Sequence, residues 1–154
     1  MKLKLDLHTH CFEATGYRAA TVDLVGKIID KIKAKGLDGI AVTEHYDKTY
    51  GFQVKELVER HFPGQVIIIP GQEVSVWPVQ VVELYLTDDV TFRFLAHPGY
   101  PGELTPSVLE GLHGIEYNNP LHNWHINKQR VKELAEKYNL MLLSDSDAHS
   151  LDDI

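Results

Sequence analysis

Residues 39–45 read Gly-Ile-Ala-Val-Thr-Glu-His, and residues 66–73 read Val-Ile-Ile-Ile-Pro-Gly-Gln-Glu. Both are short apolar runs that give way to polar residues. Runs of this length and composition suit strands buried on both faces, with Pro70-Gly71 ending the second. Between them, Phe52 to His61 places Val54, Leu57 and Val58 on one helical face. Upstream, Thr21 can cap a helix whose face carries Val22, Val25, Ile28, Ile29 and Ile32, and Gly36 stops it. A β-forming stretch at Lys2–Asp6 precedes these, so the order opens as β-α-β-α-β. Further strands are expected at Val74–Trp77, Val81–Leu86, Phe92–Ala96, Ile115–Tyr117 and Met141–Ser144. Helices are expected over Ser107–Leu112, opened by Pro106, and over Ile126–Tyr138, whose apolar stripe is Val131, Leu134, Ala135 and Tyr138.

Strands alternating with helices imply right-handed crossovers and a mainly parallel sheet, open or closed into a barrel. A regular eight-fold β/α barrel takes roughly 250 residues, or about 200 at the low end. This chain has 154, so a barrel must be small, distorted and short of a unit. Seven strands are expected, within a single domain spanning 1–154. Only five residues follow His149. Either the barrel lacks a closing helix or a neighbouring subunit covers the gap.

With 22 acidic and 15 basic side chains the net charge is −7. No Lys/Arg cluster is available to displace counterions, which excludes an extended nucleic-acid surface or an anionic-lipid surface. No apolar run approaches ~18 residues and the start turns polar early, so neither a membrane span nor a signal peptide is expected. Cys11 is the only cysteine. It has no internal disulfide partner, which fits the cytoplasm.

Nine histidines in an acidic chain are the distinctive feature. In Asp6-Leu-His8-Thr-His10, alternation along a strand aims His8 and His10 at one spot. Two imidazoles so placed can both reach an ion at ~2.0–2.1 Å. Glu44-His45, Glu73, His97 and Asp147-Ala-His149 each follow a strand as well. In parallel α/β architectures those ends converge on one face, where sites are built.

The ordered set DLHTH (6–10), TEH (43–45), PGQE (70–73), AHPG (96–99), IEYNN (115–119) and SDAH (146–149) resembles the polymerase and histidinol phosphatase (PHP) family of metal-dependent phosphoesterases. The resemblance implies a distorted seven-stranded β/α barrel, related to the TIM barrel, with two or three divalent ions. Zn²⁺, Mn²⁺ or Fe²⁺ would suit histidine and carboxylate ligands. It implies His8, His10, Glu73 and Asp147 around one ion, the same four being the catalytic set. Glu73 would bridge to a second ion held by His97 and either His122 or His125, with His122 favoured as nearer the strand end. A third ion would take His45 and His149. Its further ligand falls to Glu13, because Thr15 stands where many family members carry Asp or His.

The activity implied is hydrolysis of a phosphate mono- or diester, with hydroxide held between ions as nucleophile. The partner would be a small phosphorylated substrate or an exposed phosphate end. A metal-dependent amide or imide hydrolase and a non-catalytic metal-binding accessory domain are the alternatives. Asp6 is the better candidate to orient a ligating histidine; Asp145 could do the same but reads first as part of a local turn. Arg18 and Lys48 could hold a phosphate oxygen but read first as solvated charges. His61, His113 and Cys11 read as structural, and Trp77 and Trp124, which could line a pocket, read first as core.

Overall fold

Seven strands form one sheet in chain order: β1 (Leu5–Thr9), β2 (Gly39–Val42), β3 (Ile67–Val76), β4 (Val79–Thr87), β5 (Val90–Leu95), β6 (Gly114–Asn118) and β7 (Met141–Ser144). The structure, a computed structural model, describes residues 2–99 and 104–154. The helices are α1 (Cys11–Ala14), α2 (Val22–Ala34), α3 (Thr49–His61), α4 (Pro106–Leu109) and α5 (Lys128–Tyr138). Their limits follow their caps. The Thr21 side chain accepts from the Leu24 amide, as expected. Helix α3 starts before Phe52 because Asp47 accepts from the Thr49 amide at 2.8 Å. Asn127 does the same for Arg130 at 3.0 Å, moving the start of α5 past Ile126. The four-residue α1 was not legible in the sequence.

β1–β2, β2–β3, β5–β6 and β6–β7 pair in parallel, whereas β4 runs antiparallel to both neighbours. Pro70-Gly71 does not end a strand. The stretches around 66–69 and 74–77 are one strand, so the eight β-forming stretches give seven strands. Val42 pairs with Pro70 and Leu84 with Gly71. The dipeptide is thus where β3 passes from its parallel partner to its antiparallel one. A Cβ at Gly71 would lie 2.5 Å from the Glu83 carbonyl oxygen, so the approach of β4 requires glycine.

The barrel is nearly closed, and the seam between β7 and β1 is made by single contacts in place of a ladder. The His10 amide donates to the Ala148 carbonyl at 2.8 Å and the Asp147 amide to the His8 carbonyl at 2.9 Å. Two carboxylates complete it. Asp145 accepts from the Leu7 amide at 2.9 Å, and Asp6 from the Ser146 amide at 3.1 Å. Asp145 therefore joins two strands where a local turn was expected.

Three apolar groups hold the barrel. Ile28, Ile32, Val54 and Val58 pack α2 and α3 against Ile40 and Val42, and Ile154 joins them. Val131 and Ala135 pack α5 against Leu95 and Ile115. Ala41, Val82, Leu84, Phe94 and Leu143 come from β2, β4, β5 and β7. Residues on strands that are not neighbours can meet only across the barrel interior, so this third group is its filling.

Candidate metal centre

The inward side chains at the end of β1 set the centre. The His8 and His10 Nε2 atoms lie 3.2 Å apart, both rings fully buried. Glu73 Oε2 lies 3.6 Å from His8 Nε2 and 3.4 Å from His10 Nε2, and Asp147 Oδ1 lies 3.3 and 3.1 Å from the same atoms. Backbone contacts bring the carboxylates there. The Glu73 amide donates to the Glu44 carbonyl and its own carbonyl accepts from Tyr46, each at 3.0 Å. Asp147 is held by the seam with φ +54°, and His97 has φ +25°. Left-handed backbone at non-glycine residues carries a cost and collects where a side chain must be aimed.

Around this pair, among the described residues, the potential ligands fall into three groups: His8, His10 and Glu73; His97, His122 and Asp147; and His10, His45 and His149. Both carboxylates are shared. Glu73 Oε1 faces His97 Nε2 at 3.1 Å, while Oε2 faces His45 Nδ1 at 3.1 Å as well as the first pair. Asp147 Oδ2 lies 3.3 Å from His122 Nε2. The family resemblance implied that sharing for Glu73 alone. In the third group the His10 ring stacks between His45 and His149, with centroids 4.4 and 4.2 Å away. Glu13 approaches only His149, at 3.7 Å, and stands outside the three groups. His125 lies behind His122, its Nε2 3.0 Å from His122 Nδ1, in a turn that ends before α5.

The orienting role expected for Asp6 belongs to Glu116. Asp6 accepts from the His8 backbone amide at 3.3 Å, whereas the His8 ring Nδ1–H donates to Glu116 Oε1 at 2.7 Å. The other Glu116 oxygen accepts from the His97 amide at 2.7 Å and from Asn119 Nδ2 at 2.9 Å. Asn119 Nδ2 also reaches Asp147 Oδ2 at 3.2 Å. Glu116 and Asn119 lay within a quoted motif without an assigned role. The available signal was Ile115-Glu-Tyr117, a carboxylate between apolar residues on a buried strand. At the end of β2, Glu44 accepts from the Phe12 amide at 2.8 Å and secures the start of α1.

The electrostatics are those of a site wanting positive charge. Burial pulls the His8 imidazole down, but Glu116 and Glu73 outweigh it and hold it well above the usual histidine range. Burial pushes Glu73 up, yet His8 and His97 bring it far below the carboxylate range. Asp147, pushed up by burial, is brought to about 2 by His10, His8 and Asn119. His10 is held down, first by burial, and so is His122, by burial and then by His97. With Nδ1–H committed to Glu116, His8 Nε2 is turned toward Glu73 and Asp147. Asp147 Oδ1 is buried with no hydrogen-bond partner, although two imidazole nitrogens lie near it. Nitrogen and carboxylate lone pairs converging on an unpartnered buried oxygen fit a divalent ion.

No protein-family model matches the chain, and no curated protein matches it. Solved structures do. PsfC from Pseudomonas syringae superposes with a TM-score of 0.66 at 22% identity, over 98% of this chain and 78% of that one. A Bifidobacterium adolescentis protein named as a candidate metal-dependent phosphoesterase gives 0.67 at 12% identity, over 99% and 90% of the chains. An amidohydrolase from Chromobacterium violaceum, with bound sulfate and no metal, gives 0.66 at 15% identity, over 96% and 88%. The likeness is one of fold.

The remaining candidates lie elsewhere. Arg18 Nε donates to the Thr15 carbonyl at 2.7 Å, and Lys48 Nζ sits 5.8 Å above the Tyr85 ring. His61 ends α3, and His113 Nδ1 accepts from the Arg93 amide at 3.0 Å. Cys11 is buried beside Thr9, its thiol pushed up to about 12, chiefly by burial. Trp77 and Trp124 are not core: they are 85% and 79% exposed. Both lie in turns, Trp77 before Pro78 and Trp124 between Asn123 and His125, where no strand or helix face draws them inward.

Proposed function

We propose that this protein is a metal-dependent phosphoesterase of the PHP type, cleaving a small phosphate ester or an exposed phosphate end. The observation that carries the reading is the sharing of Glu73: one carboxylate oxygen faces His97, and the other faces His8, His10 and His45. A carboxylate so placed offsets the repulsion between two neighbouring cations. His8, His10, Glu73 and Asp147 form the first site, with His97 and His122 at the second, and His10, His45 and His149 mark a third. Zn²⁺, Mn²⁺ or Fe²⁺ bound there would supply Lewis acidity to a phosphate oxygen and lower the pKa of a water.

The chain's own residues prepare the site. Glu116 fixes the His8 ring so that Nε2 points inward, and Asn119 ties Glu116 to Asp147. Glu73 and Asp147 stay ionised because imidazoles surround them. The phosphoesterase name of the Bifidobacterium neighbour agrees with this reading. Lone, buried Cys11 favours a reducing, cytoplasmic setting.

A second reading, amide or imide hydrolysis, is favoured by the engagement of Arg18 and Lys48 away from the histidines, and one neighbour is an amidohydrolase. Elemental analysis of protein prepared without chelator, joined to panels of phosphate mono- and diesters and of amides and cyclic imides, separates the two. Bound metal with phosphate release supports the phosphoesterase. Amide cleavage alone replaces it, and metal-free inert protein refutes both.

A further inference from the structure

Two tryptophans set on the surface beside three histidines call for a reason, because tryptophan is highly buried on average and offers 150–250 Å² of ring surface. Trp77, in the turn between β3 and β4, and Trp124, in the turn after β6, line one cleft of about 430 Å³. That size is within the ordinary range for small-molecule sites. The floor of the cleft includes His97 and His122, members of the second ligand group. Pro78 and Val79 continue the apolar wall, and among the described residues the lining carries no Lys, Arg, Asp or Glu. The Trp124 ring meets His125 edge-on at 4.7 Å, and His125 in turn bonds His122.

We propose that this cleft is the leaving-group subsite and that it selects phosphomonoesters whose alcohol carries a planar, uncharged aromatic ring, stacked on Trp77 and Trp124. The inference rests on the phosphoesterase reading. The phosphoryl group sits over the shared carboxylates while the ring extends past His97 and His122. A charged leaving group gains nothing from the uncharged walls, and a small aliphatic one leaves the tryptophans in water. In turnover, water oxygen bonds to phosphorus as the water gives up a proton, the bond from phosphorus to the ester oxygen breaks with its electron pair leaving on that oxygen, and the proton lost by the water is passed to the departing oxygen.

The test uses metal-replete protein and two non-hydrolysable probes, 1-naphthylmethylphosphonate and propylphosphonate, followed by calorimetry. Hydrolysis of 1-naphthyl phosphate and of glycerol phosphate is measured alongside. The naphthyl probe should bind at least about tenfold more tightly than the propyl one, a typical gain for a stacked ring. Trp77→Ala and Trp124→Ala should each erase most of that difference and raise KM for the naphthyl ester about tenfold, with a much smaller change in KM for glycerol phosphate. Trp→Phe at either position should restore part of the preference. Equal affinity for the two probes, with phosphate released from both esters, overturns the subsite and leaves the phosphoesterase standing. No phosphonate binding and no phosphate release overturn the phosphoesterase reading and the subsite with it.

Discussion

Glu73 and Glu83 lie on adjacent strands, Glu73 paired with Val82 and Glu83 with Gln72, yet they do opposite things. Glu73 is buried among four histidines, whereas Glu83 is half-buried and meets Arg93 at 3.2 Å and Gln72 at 3.1 Å. The contrast extends to whole strands. β1, β2, β3, β5, β6 and β7 run the same way, β3 carrying Glu73 within its length and the other five delivering potential ligands or their supports at or just beyond their ends. β4 runs the other way and presents to that face only its start, with the Trp77-Pro78 turn. Residue type therefore does not mark a ligand here. The side of the pleat decides it: Glu83 shares a face with its partner Gln72, and Glu73 points to the other.

Glu73→Gln attacks that contrast hardest. It keeps size and removes the charge two groups share, so metal should be lost from two positions and ester hydrolysis should fall by at least about 100-fold in a folded protein. Full metal occupancy with normal turnover would break the bridged arrangement. Removing metal with chelator at neutral pH should lower the melting temperature on the order of 5–10 °C, if ions stabilise the fold as ligands at about 100 times their Kd do. Acidification through the histidine range of ~6.5 should act likewise, since ligating imidazoles must be unprotonated. An unchanged melting curve would mean that ions do not organise these strand ends.

Glu116→Gln probes support without touching a ligand position. Metal affinity should weaken about 10–100-fold, with secondary structure intact by circular dichroism. His122→Ala should reduce metal content more than His125→Ala, because only His122 faces Asp147. The reverse order would exchange their roles. Glu83→Gln sits at the small end, with a stability change within about 0.5 kcal/mol in urea titration and unaltered metal content. If Glu83→Gln matched Glu73→Gln, the side of the pleat would not be what separates them.

Much of this was readable before any coordinates, for a physical reason. The parallel strands are short apolar runs followed at once by polar residues, so composition and function change together at each strand end. Helix α2 was legible because its cap, its periodicity and its glycine stop agree. The antiparallel excursion was not, because Pro70-Gly71 looks locally like a terminator and only the partners on either side turn it into a crossing point. Glu116 was hidden by short-range reading: its bond to His8 spans 108 positions. Trp77 and Trp124 were misplaced because hydrophobicity predicts burial on average, while a turn can hold a ring outside the barrel.

The seam that joins β7 to β1 has a consequence for how the molecule comes into being. Leu7 and Asp145, which meet across it, are 138 positions apart. Contacts of such high sequence separation are costly in chain entropy and tend to form after local pairings. The histidines from β1 and the aspartate beyond β7 stand on opposite sides of that join. A chain emerging during synthesis thus carries His8 and His10 long before it can offer them Asp147, and the centre is assembled only when the last strand has docked.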